Sequence, residues 1–301
     1  MKTLIIIAAI IFVSAFPCLA ASDGEALESR FITVENLSVH YVESGTGQPV
    51  VLIHGDPGGV EDFELGTIDQ LSKNYHVIAI DRPGHGGSER PPNLDASVGY
   101  QASLLHATLA SLGISRPILV GHSWGGSMAL AYALKYPDDL AGMVLVAPAA
   151  YPDAGNVFVR MAVRVPFFGD LAFWASKSVF SKGLLRRDLA RAFYPQPVPE
   201  KYFKAVYTSW LRRRQLKAFF ADEDSLNDSL QEMRVNYPQI KTRTVIIIGD
   251  QDMIVSKKDN AYKLQKSIRG ARLIELKNTG HEIPQTHPES IVAALKFIPV
   301  S

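Results

Sequence analysis

Ser123 lies in the segment Gly121-His122-Ser123-Trp124-Gly125, which places a serine hydroxyl between two glycines. An apolar run at 117–120 precedes this segment and predicts a buried strand, and a helical pattern follows it at 128–134. A sharp turn between a strand and a helix holds a serine hydroxyl in an exposed, strained position at the end of a sheet. Glycines permit neighbouring backbone to approach such a turn closely. The pattern therefore predicts a nucleophilic serine.

A serine hydroxyl is a weak nucleophile by itself, and it needs a general base and an acid that orients this base. Two later segments supply these residue types. The apolar run 244–248 leads into a turn that contains Asp250 and Asp252, and the run 272–276 leads into a loop that contains His281. We predict that His281 is the general base. Both aspartates remain candidates for the acid on these grounds.

Two further loops follow apolar runs nearer the N-terminus. Residues 50–53 lead into H-G-D-P-G-G at 54–59, and residues 77–80 lead into D-R-P-G-H-G-G-S at 81–88. Together with the serine, aspartate and histidine segments, this ordered series resembles the α/β-hydrolase fold family after about residue 30. The resemblance implies an α/β fold with a mostly parallel central sheet flanked by helices and an inserted helical cap.

The resemblance also implies roles for individual residues. The family places its acid three residues after the glycine of the aspartate turn, which selects Asp252, and Asp250 then shapes the turn. The oxyanion hole is expected to use the backbone N–H groups of Trp124 and Asp56, the second by resemblance to the family's His-Gly-x-Pro loop. A carboxylate aimed at an oxyanion would oppose catalysis. The Asp56 side chain is therefore expected to face away and cap the turn at 57–59, with a direct substrate role as the alternative.

Other histidines compete with His281 for the role of base. His54 and His122 each adjoin a glycine turn and are expected to hold loops through hydrogen bonds. His85 lies in the 81–86 loop, which is structural in the family, and His287 precedes Pro288 and is expected to open the last helix.

The 301 residues are enough for a large core with an additional cap. Alternating residues at 31–34 and 38–42 predict an antiparallel hairpin, after which strands alternate with helices and predict parallel pairing. Predicted strands are 50–53, 77–80, 118–120, 143–146, 245–248 and 273–276, and predicted helices lie near 63–71, 101–112, 260–268 and 288–297. We assign the core to 21–150 and 241–301.

The strand signal disappears at 151–240, where aromatic residues and arginines predict a helical cap. The arginines at 186–187 and 212–214 are expected to form solvated helix faces, and weak association with an anionic surface is the alternative. The net charge of +1 gives no overall attraction to nucleic acid.

The N-terminus predicts a signal peptide at 1–20. Lys2 precedes an apolar stretch at 4–16, and Cys18-Leu19-Ala20 offers small residues for cleavage after Ala20. We expect export to the periplasm or the medium without stable membrane insertion, and an uncleaved membrane anchor is the alternative. Cys18 is the only cysteine, so the mature chain is not a cysteine hydrolase. No metal or cofactor is expected.

These residues predict a serine hydrolase whose small-molecule substrate forms an acyl-enzyme on Ser123. The expected substrates are carboxylic esters, thioesters or lactones with an apolar acyl part. Serine rather than aspartate at this position argues against an epoxide hydrolase or a haloalkane dehalogenase. Segments 54–59 and 123–125 also resemble proline iminopeptidases. Asp56, His122 and the basic cap depart from that family. Cofactor-free perhydrolysis (haloperoxidase-type) and a non-catalytic binding protein are the remaining alternatives.

Overall fold

Eight strands form one sheet in the computed structural model, which describes residues 27–153 and 182–299. The predicted signal peptide and residues 154–181 of the predicted cap lie outside these ranges. The strands are β1 (Arg30–Val34), β2 (Leu37–Ser44), β3 (Pro49–Ile53), β4 (His76–Ile80), β5 (Ile118–His122), β6 (Gly142–Val146), β7 (Thr244–Gly249) and β8 (Arg272–Leu276).

The strand order is β1-β2-β4-β3-β5-β6-β7-β8. Strand β2 pairs antiparallel with both β1 and β4. The remaining pairs, which are β4 with β3, β3 with β5, β5 with β6, β6 with β7 and β7 with β8, are parallel. Every residue of β5, β6 and β7 is buried. Continuous apolar runs are typical of central parallel strands because helices cover both faces of such a sheet. The predicted mostly parallel α/β sheet is confirmed.

The predicted N-terminal hairpin is confirmed. Glu35 and Asn36 connect β1 to β2 with φ angles of 50° and 63°. Two successive residues with positive φ give a turn whose twist matches that of the paired strands, and asparagine tolerates this conformation well.

The helices are α1 (Thr67–Leu71), α2 (Val98–Ser111), α3 (Trp124–Lys135), α4 (Lys182–Phe193), α5 (Glu200–Ser209), α6 (Arg213–Met233), α7 (Ala261–Ser267), α8 (Ile283–Thr286) and α9 (Pro288–Leu295). The helix predicted near 63–71 is shorter than expected. A 3₁₀ turn covers Val60–Asp62, and α1 begins only after Gly66, whose φ of 111° lies in the left-handed region. A residue with this backbone geometry interrupts a right-handed helix.

Helices α4, α5 and α6 lie between β6 and β7 in the chain, where the cap was predicted. Helices α4 and α5 share a small apolar cluster apart from the main core, formed by Leu185, Leu189, Phe193, Tyr202, Phe203, Val206 and Trp210. Within 27–153 and 182–299, the helices are all too short or too polar to cross a membrane.

Candidate active site

Ser123 lies between the end of β5 and the first residue of α3. Its φ of 51° and ψ of −116° are sparsely populated for a residue with a side chain. A Cβ on Gly121 would collide with the backbone of Gly125, and a Cβ on Gly125 would collide with the backbone of Ile53. Glycine is therefore required on both sides of the serine, and β3, β5 and α3 converge closely at this turn.

His281 and Asp252 are directly paired. The Nδ1 atom of His281 lies 2.8 Å from Oδ2 of Asp252. The other carboxylate oxygen of Asp252 accepts hydrogen bonds from the backbone N–H groups of Ile254 and Val255, at 2.8 and 2.9 Å. These contacts hold the carboxylate in place and orient the imidazole so that Nε2 is left for a second partner.

Asp250 has different contacts from Asp252. Its Oδ1 atom accepts a hydrogen bond of 3.4 Å from the backbone N–H of Thr279, and its Oδ2 atom lies 3.7 Å from the ammonium group of Lys277. The structure thus brings Asp252 to His281 and places Asp250 against the backbone of the histidine loop.

The pairing shifts the pKa values of both groups. Burial opposes the charged form of Asp252, but the charge and hydrogen bond of His281 outweigh burial, and the pKa of Asp252 lies below its ordinary value. Burial also opposes protonation of His281, but the charge and hydrogen bond of Asp252 outweigh it, and the pKa of His281 lies above 6.5. His281 is thus a stronger base than a free histidine.

We expect kcat/KM for ester hydrolysis to rise with pH through one ionisation whose midpoint lies above 6.5, because His281 accepts a proton only when it is neutral. The measurement is the pH profile between 5 and 9 with a substrate whose acylation limits the rate. Asp250→Asn is the matched control and should leave the midpoint in place. A profile without this ionisation would contradict the assignment of His281 as base.

A cavity of about 150 Å³ brings Ser123 and His281 together with the loop after β3. Gly55, Asp56 and Pro57 of this loop line the cavity, and a Cβ on Gly55 would lie 3.2 Å from Cβ of Ser123. Trp124 is the first residue of α3, so its backbone N–H has no acceptor within its own helix. The two loops predicted to supply oxyanion donors therefore meet at the serine.

The other histidines hold loops in place. His54 Nδ1 lies 2.8 Å from the carbonyl oxygen of Gly55, and its Nε2 accepts a hydrogen bond of 2.9 Å from the backbone N–H of Arg82. His122 Nε2 donates to the carbonyl oxygen of His281 at 3.1 Å. Burial lowers the pKa of His122 to about 3, so this ring is neutral. His287 occupies the N-cap position of α9.

The expectation that Asp56 caps the turn at 57–59 is wrong. Its side chain is 1% exposed, and Oδ1 lies 3.1 Å from Nη2 of Arg82. The same Nη2 donates to the carbonyl oxygen of Gly55 at 3.0 Å. A buried guanidinium is a far stronger partner for a buried carboxylate than the N–H groups of a turn. Asp56 thus lies against Arg82, although burial outweighs the positive charge of Arg82 and the pKa of Asp56 lies well above its ordinary value.

Arg82 joins both oxyanion loops to α6. Its guanidinium carbon lies 3.9 Å from the ring centroid of Trp124, and its Nη1 donates to Oδ2 of Asp222, a fully buried residue of α6. Asp222 also accepts hydrogen bonds from Arg90 at 2.6 Å and Gln101 at 2.9 Å. Sequence reasoning missed this network because Asp222, Arg90 and Gln101 lie in no recognisable motif.

Asp56, His85 and Asp222 place potential metal-ligand atoms within 4.8 Å of one another. The guanidinium of Arg82 contacts both carboxylates, and His85 Nε2 lies 3.1 Å from Oδ2 of Asp222. Burial raises the pKa of Asp222, but the positive charges of Arg82 and Arg90 and the hydrogen bond from His85 outweigh burial, and the pKa of Asp222 is strongly lowered. We assign this cluster as an ion-pair network.

We expect Asp222→Asn to lower the free energy of unfolding by about 3 kcal/mol, because it leaves buried arginines without their shared counter-charge. Because the pKa of Asp222 is lowered in the folded state, the stability that this residue contributes depends on pH. The difference from the unmodified protein should be fully present above the ordinary pKa of an aspartate and should shrink as the pH falls toward that of Asp222. Urea unfolding measures this, and Glu232→Gln on an exposed position of α6 is the control. Equal midpoints for the two variants would refute the role of Asp222.

The chain is similar to known proteins over most of its length. The alpha/beta hydrolase fold family matches residues 48–288. The chain is 29% identical over 249 residues to Lipase 1 of Psychrobacter immobilis, covering 80% of this chain and 74% of that protein. It is 30% identical over 273 residues to the monoacylglycerol lipase abhd6-A of Xenopus laevis, covering 87% and 79%.

Among solved structures, a putative lipase (lip1) from Acinetobacter baumannii AYE superposes with a TM-score of 0.72 at 25% identity, covering 89% of each chain. These similarities to lipases support hydrolase activity on esters. The family match, the sheet order and the serine turn lead to the same assignment: the chain belongs to the α/β-hydrolase fold family.

Proposed function

We propose that the chain is a serine hydrolase of carboxylic esters that forms an acyl-enzyme on Ser123, and that thioesters and lactones belong to the same substrate range. The observation that carries this proposal is the strained backbone of Ser123, with a φ of 51°, in the cavity that also contains the Asp252-paired His281. The relatives named lipases support an ester as the substrate.

In the proposed reaction, Nε2 of His281 takes the hydroxyl proton as Ser123 attacks the carbonyl carbon. The N–H groups of Trp124 and Asp56 stabilise the negative oxygen of the tetrahedral intermediate. His281 then gives the proton to the leaving alcohol, and the acyl group remains on Ser123. Water, deprotonated by His281, attacks the acyl-enzyme, and His281 returns this proton to Oγ of Ser123 as the acid leaves. Asp252 holds the Nδ1 proton and stabilises the imidazolium at each stage.

The lining of the cavity supports an apolar acyl part. Leu185, Leu189 and Ala192 of α4 contribute apolar side chains beside Ser123. A second cavity of about 830 Å³ shares Asp188 and Ile254 with the first, and it has space for a longer chain. Each buried methylene of an acyl chain contributes about 0.8 kcal/mol. We therefore expect kcat/KM to rise with acyl length before it levels off.

The test is labelling with a fluorophosphonate probe combined with turnover of 4-nitrophenyl butanoate and of a proline anilide. We expect one label per chain, located on Ser123 by peptide mass analysis, and faster turnover of the ester. Ser72→Ala, on an exposed loop after α1, is the labelling control. Faster cleavage of the anilide than of the ester would favour the aminopeptidase alternative over ester hydrolysis. Absence of both labelling and turnover would favour a binding protein.

A further inference from the structure

The carbonyl oxygen of Gly55 has two side-chain donors. The Nη2 atom of Arg82 donates to it at 3.0 Å, and Nδ1 of His54 lies 2.8 Å from it. The other ring nitrogen of His54 accepts from the backbone N–H of Arg82 at 2.9 Å, so Nε2 carries no proton. Burial and the charge of Arg82 lower the pKa of His54 well below its ordinary value, so the ring is neutral. Its single proton therefore lies on Nδ1, which donates to Gly55.

These two hydrogen bonds fix the orientation of a whole peptide group. The carbonyl of Gly55 and the N–H of Asp56 belong to the same planar, trans peptide group, so they point in opposite directions. Rotation of the group would break both bonds to the carbonyl oxygen. The direction of the Asp56 N–H is thereby set by side chains that lie on the far side of the loop.

The main chain of Asp56 faces the cavity at Ser123. Asp56 lines this cavity, and the residue is partly exposed although its side chain is only 1% exposed. The exposed part of the residue is therefore its backbone. Within 27–153 and 182–299, no carbonyl oxygen accepts a hydrogen bond from this N–H. The N–H group is thus available to an oxygen atom that enters the cavity.

Arg82 also contacts the other expected oxyanion donor. Its guanidinium carbon lies 3.9 Å from the ring centroid of Trp124, a stacked arrangement that favours the cation. One buried side chain therefore fixes the turn of Trp124 relative to the peptide group of Asp56. Hydrogen bonds to a carbonyl oxygen also polarise its peptide group, which makes the N–H at the other end a stronger donor.

We propose that Arg82 and His54 are positioning residues for the oxyanion hole, and that they hold the Gly55 carbonyl so that the Asp56 N–H points at the oxygen of the tetrahedral intermediate. The inference rests on the proposed acyl transfer, because it assigns supporting residues to the same site. A purely structural role would change stability alone. The proposed role also changes how well the site stabilises a charge that develops only during the reaction.

The experiment measures this charge stabilisation in two ways. The first is kcat and KM for 4-nitrophenyl butanoate. The second uses 1,1,1-trifluoro-2-hexanone labelled with ¹³C at its carbonyl carbon, to which Oγ of Ser123 adds to form a hemiketal. Loss of the hemiketal proton leaves a negative oxygen in the oxyanion hole, and hydrogen bonds to that oxygen lower the hemiketal pKa. The ¹³C shift as a function of pH gives this pKa.

His54→Leu and His54→Asn form a matched pair. Both remove the acceptor of the Arg82 N–H, but asparagine keeps a donor, Nδ2, near the Gly55 carbonyl. We expect His54→Leu to lower kcat about 30-fold, a part of the loss caused by removing one oxyanion donor. Its KM should stay within about threefold, and the acidity of the hemiketal should fall about tenfold or more. His54→Asn should restore most of both. Equal kcat and equal hemiketal acidity in the two variants would overturn the proposal.

Arg82→Met removes the guanidinium and should lower kcat on the order of 10²-fold, as expected when one oxyanion donor is lost. Arg90→Met is the control, since Arg90 donates to the same Asp222 at 2.6 Å and to the carbonyl oxygen of Pro83, instead of that of Gly55. The control should lose stability but keep kcat within about threefold. Equal losses of kcat in the two variants would reject the role of Arg82. If Arg82→Met does not fold, the two His54 variants decide.

Failure of this inference is distinguishable from failure of the proposed function. Ester turnover through Ser123 with no difference between the His54 variants rejects the positioning role alone. If the unmodified protein hydrolyses no ester and forms no hemiketal, the proposed function fails, and the ¹³C shift of the Gly55 carbonyl in glycine-labelled protein tests the positioning role. This shift should change in His54→Leu and return in His54→Asn, and one shift shared by all three proteins rejects the role.

Discussion

Ser123→Ala is expected to lower kcat for ester hydrolysis on the order of 10⁶-fold, the size of loss measured when the serine of a well-studied catalytic triad is removed. The variant loses the only atom that becomes acylated, so His281 and the oxyanion donors act on water alone. The fold should remain intact, because the hydroxyl lies at the surface of a cavity and the backbone hydrogen bond from Ser123 N–H to Val146 at 2.9 Å is kept. Turnover of 4-nitrophenyl butanoate and thermal melting measure the two properties.

Ser123→Gly is the matched variant for the backbone strain. Glycine adopts a φ of 51° without the steric cost that alanine retains. We therefore expect the glycine variant to be as inactive as Ser123→Ala but more stable by about 1 kcal/mol. Substantial turnover in a folded Ser123→Ala protein would exclude Ser123 as the nucleophile.

Asp252→Asn is expected to lower kcat on the order of 10⁴-fold, as in the best-studied triad, while Asp250→Asn should lower it less than tenfold. The asparagine amide can donate to Nδ1 of His281, which then carries its proton on Nε2 and cannot act as the base. Asp250 contacts the loop backbone and Lys277 instead of the imidazole. Its loss should affect mainly the order of the histidine loop.

The pH dependence of stability gives a second measurement on the same pair of variants. The pKa of Asp252 is lowered in the folded state, so its stabilising contribution is present above the ordinary aspartate pKa and is lost as the pH falls toward the folded value. Asp252→Asn should remove this dependence. A larger catalytic loss in Asp250→Asn than in Asp252→Asn would reverse the assignment of the acid.

Much of the fold was determined by local sequence. The central strands, the hairpin at Glu35 and Asn36 and the turn at Ser123 were predicted from residues that are neighbours in the chain. Strand periodicity, left-handed turn residues and close backbone approach act over a few residues, and short patterns therefore encode them. The helix predicted near 63–71 is shorter for a local reason too, since α1 begins only after the left-handed backbone of Gly66.

The surroundings of the site were decided by tertiary structure alone. Asp222 is 140 residues from Arg82, and nothing in its own amphipathic helix marks it as the partner of a buried guanidinium. The backbone N–H of His281 donates to the carbonyl oxygen of Ala192 in α4 at 2.8 Å, which links the histidine loop to the predicted cap. Neither contact has a sequence signature, because each depends on how distant helices pack over the sheet.

The loop that contains Asp56 was predictable from local sequence, whereas the position of its carboxylate depended on tertiary structure. The sequence by itself determined that a loop with a backbone N–H follows β3, and that this loop and the serine turn occupy the same edge of a parallel sheet. Whether the carboxylate would face the turn, the substrate or another charge depended on where Arg82 lies, and β3 and β4 had to pair before the two could meet at 3.1 Å. Local chain geometry is encoded over short stretches, whereas the pairing of buried charges requires the assembled core.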